Sequence, residues 1–345
     1  MKRPTSAGTL VVCTTLVIVL SLSTAHGQEV IVMSGPDELV AWLQAENWWG
    51  EEKRGDQLEV PHVMITGISN RWRENAQKMT VQQKKEIFYR LLLPLVVHAN
   101  DMVLDRRASL EHAKQSLASG QSLPADDLAA LRRAAVLLRI LDEDSAAEIS
   151  GSSPDLLEVI DEALYRLDVI PAGLVLGQAA YESGYGTSRF AAEGNALFGQ
   201  WTYGGKGLVP AQQRKQLGDH RIASYEWPFD SVRGYYLNLS SHPAYEDFRR
   251  LRAELKAAGE PLTSMTLADG LIRYSERGQE YVDTLKGIIR VNGLSIADGA
   301  VFRDEPTRFL VGAKDEAAAA EVRQEIEAMR ASGELAQIIA RMRLE

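Results

Sequence analysis

One stretch of the chain, residues 178–201, places a glutamate at the end of an apolar segment and a glycine-rich turn directly after it: QAAYESGYGTSRFAAEGNALFGQW. Pro171 precedes the segment, and proline suits the first turn of a helix because its missing N–H would have no partner there. Gly184 follows Glu182 by two residues, and glycine accepts the left-handed conformation in which many helices end. The pattern predicts a buried helix from Pro171 to Gly184 with Glu182 in its last turn.

The pKa of Glu182 is predicted to be raised at that position. The C-terminal end of a helix is the negative end of its dipole, and burial among aromatic residues further disfavours the ionised carboxylate. A carboxyl group that stays partly protonated near neutral pH is what a general acid in glycoside hydrolysis needs. The alternative is a glutamate that only caps the helix or pairs locally.

Several further motifs follow one another around Glu182. YESGYGTS at 181–188 and NALFGQW at 195–201 resemble the glutamate-Ser-Gly-x-Gly-x-Ser and Asn-x-Phe-Gly signatures of bacterial glucosaminidases, glycoside hydrolase family 73. GLVP at 207–210, SVRGYYLNL at 231–239, HPAY at 242–245 and YSERG at 274–278 are similar to the Bax-type branch of that family. The resemblance covers roughly residues 160–295, with a weaker likeness at 88–96.

The resemblance implies a mainly α fold of the α+β class, in which a lysozyme-like helical domain carries a small β-lobe beside the cleft. It implies hydrolysis of the β-1,4 bond after N-acetylglucosamine in the glycan strands of peptidoglycan, with no cofactor. Glu182 takes the place of the family's acid and Tyr274 that of its active-site tyrosine. Ser275 and Glu276 depart from the family's usual pattern of a small residue followed by an acid.

A second carboxylate is harder to assign. Glycoside hydrolysis usually needs one to activate water or to stabilise the oxocarbenium ion. We expect the β-lobe between about 200 and 225, and Asp219 is the only acidic residue between Glu193 and Glu226. Asp219 is therefore the candidate, against the alternative of a turn aspartate before a strand. Glu193 and Glu226 are fallbacks, and assistance by the substrate's own N-acetyl group would need no second acid.

Aromatic side chains in the same region either stack on sugar rings or pack in the core, which is their commoner role. Trp201 and Tyr274 are the better candidates for stacking, whereas Phe198 is expected to pack. Asn195 either positions the substrate or closes its loop. No cluster of His, Asp or Glu has metal-ligand spacing, so no metal site is expected. The candidate substrate-binding residues are Tyr185, Asn195, Phe198, Trp201 and Tyr281.

The first 27 residues have the arrangement of a secretory signal peptide. Lys2 and Arg3 precede an apolar stretch at 9–22, and Ala25-His26-Gly27 is a small-x-small cleavage site. An uncleaved anchor is the alternative. Cleavage would remove the single cysteine, Cys13, so an exported and periplasmic protein with no free thiol is expected. No stable membrane insertion is expected after cleavage.

The net charge of the chain bears on which binding partners are expected. The net charge is −9, from 38 basic and 47 acidic residues. That balance disfavours nucleic acid and gives no attraction to anionic membrane surfaces. The oligomeric state is left open by the sequence.

The mature chain divides into a helical N-terminal region at 28–150, the lysozyme-like domain at 151–295 and a helical tail at 296–345. We expect a long helix or a helix pair over 81–119 that is interrupted at Pro94, and a second helix over 126–140. Residues 142–154 are expected to form a linker or a lid over the cleft, 294–306 a loop, and 315–344 helix. The upstream helices are expected to pack on the catalytic domain as one unit.

Two other functions stay open. A lytic transglycosylase also uses one glutamate before serine and glycine, although the Gly-Leu-Met-Gln motif that accompanies it is absent here. A non-catalytic cell-wall binding protein is the second alternative.

Overall fold

The computed structural model describes residues 29–49, 53–54, 57–202, 207–209 and 221–343. The fold is mainly helical with small sheets, as predicted. In the described residues, short 3-10 helices lie at Pro243–Tyr245, Ala268–Leu271 and Leu294–Gly299. The α-helices are α1 Pro36–Ala45, α2 Asn70–Ala76, α3 Val81–Ala118, α4 Ala125–Leu137, α5 Glu143–Glu148, α6 Leu156–Arg166, α7 Ala172–Ser183, α8 Arg189–Gly194, α9 Pro228–Ser241, α10 Glu246–Ala257, α11 Ser264–Leu267, α12 Gln279–Val291, α13 Glu316–Ser332 and α14 Glu334–Arg343.

In the described part of the chain, the strands form three sheets of three strands each. One is the β-lobe, with the antiparallel order β5-β7-β6, inside the range predicted for it. The other two have the orders β1-β9-β4 and β2-β3-β8. The strands are β1 Glu29–Met33, β2 Lys53–Arg54, β3 Gln57–Val60, β4 Val63–Ile65, β5 Trp201–Thr202, β6 Gly207–Leu208, β7 Arg221–Ala223, β8 Val301–Phe302 and β9 Arg308–Gly312.

A parallel sheet joins the two ends of the chain. Strand β9 lies between β1 and β4 and is parallel to both, with Phe309 paired to Val30 on one side and to Met64 on the other. The helical extensions predicted at 28–150 and 296–345 are present and also contribute these strands. The predicted loop at 294–306 is wrong, because this segment contains a 3-10 helix and strand β8. Strands this short have no helical or strand periodicity to detect, and their partners are distant in sequence. Burial by partners far along the chain, rather than local propensity, makes these segments strands.

Helix α3 runs without a break through Pro94, so the predicted interruption there is wrong. A proline in a helix cannot donate to the carbonyl four residues earlier, which here belongs to Arg90. The indole Nε1 of Trp48 donates to that carbonyl at 3.0 Å. Trp48 is only 2% exposed, so its buried indole supplies the donor that Pro94 lacks.

Among the described residues, α3 is also the one helix long and apolar enough, by length and composition, to cross a membrane. Of its most apolar window, 56% is buried inside the protein. Leu92, Leu95 and Val96 pack there in the main hydrophobic core. More than half of the most apolar stretch of α3 is therefore covered by the rest of this chain.

The main core draws on all three predicted regions. Leu43, Leu174 and Phe309 belong to one cluster of buried residues, together with Leu95 of α3. At its centre, α7 approaches the segment after α12 so closely that a Cβ at Gly173 would lie 2.5 Å from the carbonyl oxygen of Leu294. The upstream helices thus pack on the domain that carries Glu182, as expected. The boundaries of the three regions stay predictions.

Residues 142–154 do not form a lid over Glu182. They contain the short helix α5, and Arg132 of α4 donates to the carbonyl of Ile149 at 3.1 Å. The Gly151 carbonyl accepts from the Leu123 backbone at 3.0 Å. Ile149 packs on a separate apolar cluster that α3, α4 and α6 build together. The segment's acidic and glycine-containing composition had suggested a free linker, but its few apolar side chains have partners on α4.

The C-terminal helices agree with the prediction. α13 ends at Gly333, whose φ of +79° is the left-handed conformation that glycine favours, and α14 follows at once. Ile326 is buried in a cluster with Val32 of β1. The C-terminal tail therefore packs on the N-terminal strand of the same chain.

Candidate active site

Glu182 occupies the last turn of α7, as predicted. The helix begins after Pro171 and ends at Gly184, which has φ +58° and ψ +46°. The Ser183 hydroxyl closes the turn, because it donates to the Ala179 carbonyl at 2.6 Å and accepts from the Gly186 backbone at 2.8 Å. The Glu182 carboxyl group is thereby held at a rigid helix end and not on a loose loop.

Burial raises the pKa of Glu182 from 4.5 to about 7. Among the described residues, the opposing influence is one hydrogen bond, in which the Tyr281 hydroxyl donates to Glu182 Oε1 at 3.2 Å and favours the ionised form. Burial dominates, so a substantial fraction of Glu182 is protonated at neutral pH. This is the protonation state that a general acid requires.

Tyrosines from four segments face Glu182. They are Tyr235 of α9, Tyr245 of the 3-10 helix before α10, Tyr274 of the loop before α12 and Tyr281 of α12. The negative charge of Glu182 contributes to the raised pKa of all four. Burial is the larger cause in each case. The carboxyl group therefore lies in a wall of aromatic rings and phenolic hydroxyls.

Tyr274 joins this wall, but it does not bond to Glu182. Its ring stacks on that of Tyr281, with centroids 5.6 Å apart and planes 10° apart. Its hydroxyl donates to the carbonyl of Phe198 at 3.1 Å. The side chain thus ties α12 to the segment that leads into the β-lobe. The tyrosine that contacts the acid directly is Tyr281, which is 1% exposed.

The segment 195–201 brings the β-lobe to Glu182. A Cβ at Gly199 would lie 3.7 Å from Glu182 Oε2, and Gly199 has the left-handed φ of +61°. Phe198 packs, as expected, because it is 2% exposed and stacks on Tyr235 with centroids 4.2 Å apart. Trp201 follows on β5 and is 49% exposed. Of the predicted aromatic candidates, Trp201 is the one that presents a large surface to solvent.

The side chains of Asn195 and Tyr185 contact residues other than Glu182. The Asn195 side chain accepts from the Ile68 backbone at 2.8 Å and donates to the carbonyls of Tyr225 and Glu226 at 3.2 and 3.0 Å. Its amide therefore closes the loop, which is the second of its two predicted roles. Tyr185 packs edge-on against Phe88 and Tyr89 of α3.

A second carboxylate is not assigned by the described residues. Asp219 lies outside them. Glu193 is on α8 and pairs with Arg189 at 3.1 Å, and Glu226 is exposed beside the start of α9. Within the described ranges, no other acidic side chain contributes to the pKa shift of Glu182. Over the same residues, no group of three or more His, Cys, Asp or Glu side chains could hold a metal ion.

Gln178 is a polar residue of this site that the sequence analysis did not single out. It is 0% exposed, one turn before Glu182 on α7, and its amide contacts both Tyr235 and Tyr281. A signal was present in the sequence, since residues four apart share a helix face. A glutamine in an otherwise apolar run, on the face of the candidate acid, predicts a partner for that acid.

The site combines a buried glutamate at a helix end with a wall of tyrosines and a small β-lobe beside them. This arrangement fits the class of glucosaminidases. The family described as mannosyl-glycoprotein endo-beta-N-acetylglucosaminidase, or glucosaminidase, matches residues 158–294, and the chain belongs to this family in its Bax-type form. The chain is 31% identical over 214 residues to "Protein bax" of Escherichia coli (strain K12), a match that covers 62% of this chain and 72% of that protein. No solved structure matches the chain.

Proposed function

We propose that the protein is a peptidoglycan hydrolase that cleaves the β-1,4 bond between N-acetylglucosamine and N-acetylmuramic acid, with Glu182 as the general acid. The observation that carries the proposal is the buried Glu182 carboxyl group at the end of α7, whose pKa is raised to about 7. Membership of the glucosaminidase family supports a glycan as the substrate.

In the proposed reaction, protonated Glu182 gives its proton to the glycosidic oxygen as the bond to the anomeric carbon breaks. The Tyr281 hydroxyl then stabilises the carboxylate that forms, since it already donates to Oε1. Glu182 next takes a proton from the attacking water and returns to its acid form. The positive charge at the anomeric carbon is met either by Asp219 or by the substrate's N-acetyl oxygen.

Trp201 is the proposed stacking platform for a sugar ring. Its side chain is about half exposed and lies directly after the segment that contacts Glu182. An exposed indole presents an apolar face that suits the C–H face of a pyranose. We further propose that the protein acts after export, in the periplasm, where its glycan substrate lies.

The products of peptidoglycan digestion test this proposal. Purified sacculi are digested with the protein, and the soluble fragments are reduced with borohydride and analysed by mass spectrometry. The expected fragments end in N-acetylglucosaminitol. Fragments that end in N-acetylmuramitol would contradict the assigned bond.

A lytic transglycosylase is the second candidate, because a single carboxylate among tyrosines at the described site would suffice for it. In that reaction the 6-hydroxyl of muramic acid attacks in place of water. Its fragments carry an anhydromuramic end that borohydride does not reduce, so the same analysis distinguishes the two reactions. Undigested sacculi that retain the bound protein would instead favour a binding role.

A further inference from the structure

A buried chain of hydrogen bonds ends on the Glu182 carboxyl group. The Tyr235 hydroxyl donates to Gln178 Oε1, Gln178 Nε2 donates to the Tyr281 hydroxyl at 2.9 Å, and that hydroxyl donates to Glu182 Oε1 at 3.2 Å. Gln178, Tyr235 and Tyr281 are each at most 1% exposed. Water therefore does not compete for these groups, and their donors and acceptors must satisfy one another.

The direction of this chain of hydrogen bonds is fixed at the end that lies on the Glu182 carboxylate. An ionised carboxylate can only accept, so Tyr281 must donate to Glu182 Oε1. The Tyr281 oxygen then accepts from the neighbouring amide, which must present Nε2 to it. Gln178 Oε1 is left facing Tyr235, which donates. A reversal of the chain would require the Gln178 amide to rotate by half a turn inside a closed interior.

The same direction decides which oxygen of Glu182 carries the acidic proton. Oε1 faces a hydroxyl proton, so a proton on Oε1 would meet another proton. Oε2 lies on the side of Gly199, where a glycine leaves space beside it. We propose that Gln178 is a positioning residue, which holds the Tyr281 hydroxyl proton on Oε1 and thereby places the acidic proton of Glu182 on Oε2, toward the β-lobe.

This inference rests on the proposed function only for its effect on turnover, because the position of the proton can be measured without substrate. Among the residues that the structure describes, the titratable groups that face Glu182 are Tyr235 from α9, Tyr245 from the 3-10 helix before α10, Tyr274 from the loop before α12 and Tyr281 from α12. All four have raised pKa values and stay neutral where Glu182 titrates. Changes in the titration of Glu182 therefore report on its hydrogen bonds.

The test uses Gln178→Met, which keeps the length of the side chain and removes both of its hydrogen bonds. Without Nε2 as a donor, Tyr281 is free to accept a proton from Glu182 and is a weaker donor to the carboxylate. Both changes favour the protonated form, so the pKa of Glu182 is expected to rise. The kcat of glycan hydrolysis is expected to fall about tenfold or more with KM little changed, because the proton now rests on the wrong oxygen.

The pKa is measured by NMR titration of the Glu182 side-chain carboxyl carbon in the free protein, with Glu182→Gln to assign the signal. Tyr281→Phe removes the hydroxyl through which Gln178 acts. In that background, Gln178→Met should leave the pKa of Glu182 unchanged. A rise in the single variant that disappears in the double variant supports the inference.

Three results would overturn it: an unchanged pKa in a folded Gln178→Met protein, a fall in that pKa, or a rise that persists in the Tyr281→Phe background. Thermal unfolding checks the fold of each variant. If the pKa behaves as expected but sacculi are not cleaved, the positioning role stands and the proposed substrate fails. If sacculi are cleaved and the pKa does not move, the proposed substrate stands and the positioning role of Gln178 fails.

Discussion

At the scale of single residues, the burial of Glu182 links catalysis to stability. Its pKa is about 7 in the folded protein against 4.5 when exposed, so the folded state holds the proton more tightly. The contribution of Glu182 to the free energy of unfolding therefore falls as pH rises from about 4.5 to about 7 and changes no further above that. A group placed in this way serves the reaction and weakens the fold at neutral pH.

Glu182→Gln should consequently be more stable than the wild type at pH 8, by up to about 3 kcal/mol, and little different at pH 4. Glutamine keeps the shape of the side chain and cannot ionise. Urea unfolding at the two pH values measures the difference. Equal stability at pH 8 would mean that the carboxylate is solvated, and the raised pKa would be wrong.

Asn195 provides the second residue-level prediction. Asn195→Ala removes three hydrogen bonds and places alanine at the left-handed φ of +50°, so it should destabilise the fold by about 2 kcal/mol or more. Asn195→Asp keeps the acceptor for Ile68 but turns a carboxylate oxygen toward the carbonyls of Tyr225 and Glu226, so it should also destabilise the fold. Unfolding measurements and KM are compared in both variants. A raised KM with unchanged stability would instead show that the amide contacts substrate.

The sequence alone predicted Glu182, its helix and its raised pKa, because proline, glycine and the apolar run act locally. It did not predict that Tyr281 rather than Tyr274 contacts the acid. That difference depends on how α12 packs against α7, and two tyrosines seven residues apart carry no local sign of it. The role of Gln178 could have been predicted, since its spacing from Glu182 places both residues on one helix face.

At the scale of elements, α3 depends on a donor from outside the helix. Trp48→Phe removes the indole N–H that satisfies the Arg90 carbonyl and should cost about 1 to 3 kcal/mol. Pro94→Ala restores the helix's own donor, so Trp48→Phe should cost less in that background. A double-mutant cycle of unfolding free energies measures the coupling. Equal costs in both backgrounds would show that the indole matters only through its packing.

The helices with clear caps and apolar stripes, such as α13, were predictable from the sequence. The parallel strands were not, since β1, β4 and β9 are each at most five residues long and pair between distant parts of the chain. The interruption predicted at Pro94 was wrong for a related reason. A proline removes one donor from a helix and crowds the carbonyl four residues earlier. Here that carbonyl has a replacement donor in Trp48, which is far away in sequence.

At the scale of the whole molecule, the sheet that joins the chain ends also belongs to the core around α7. Phe309 of β9 is 2% exposed and packs in the same cluster as Leu174. Phe309→Ala should cost about 3 to 5 kcal/mol. Val301→Ala, at a position that is 38% exposed, is the control and should cost much less.

If the molecule unfolds as one cooperative unit, Phe309→Ala should reduce the hydrogen-exchange protection of α7 by the same free energy as that of β1 and β4. Exchange followed by mass spectrometry resolves these segments. Loss of protection confined to the strands would show that the joined ends form a unit separate from the helical domain.

The central claim is that Glu182 is the acid of a glycan hydrolase. The measurement that tests it most directly is the rate of fragment release from sacculi by the wild type, by Glu182→Gln and by Glu254→Gln, an exposed glutamate on α10. We predict that the wild-type rate falls as pH rises through about 7, because the acid must be protonated. Glu182→Gln should lose about 10²-fold or more of the rate while folded, and Glu254→Gln should retain it. A folded Glu182→Gln protein that cleaves sacculi at the wild-type rate would contradict the claim.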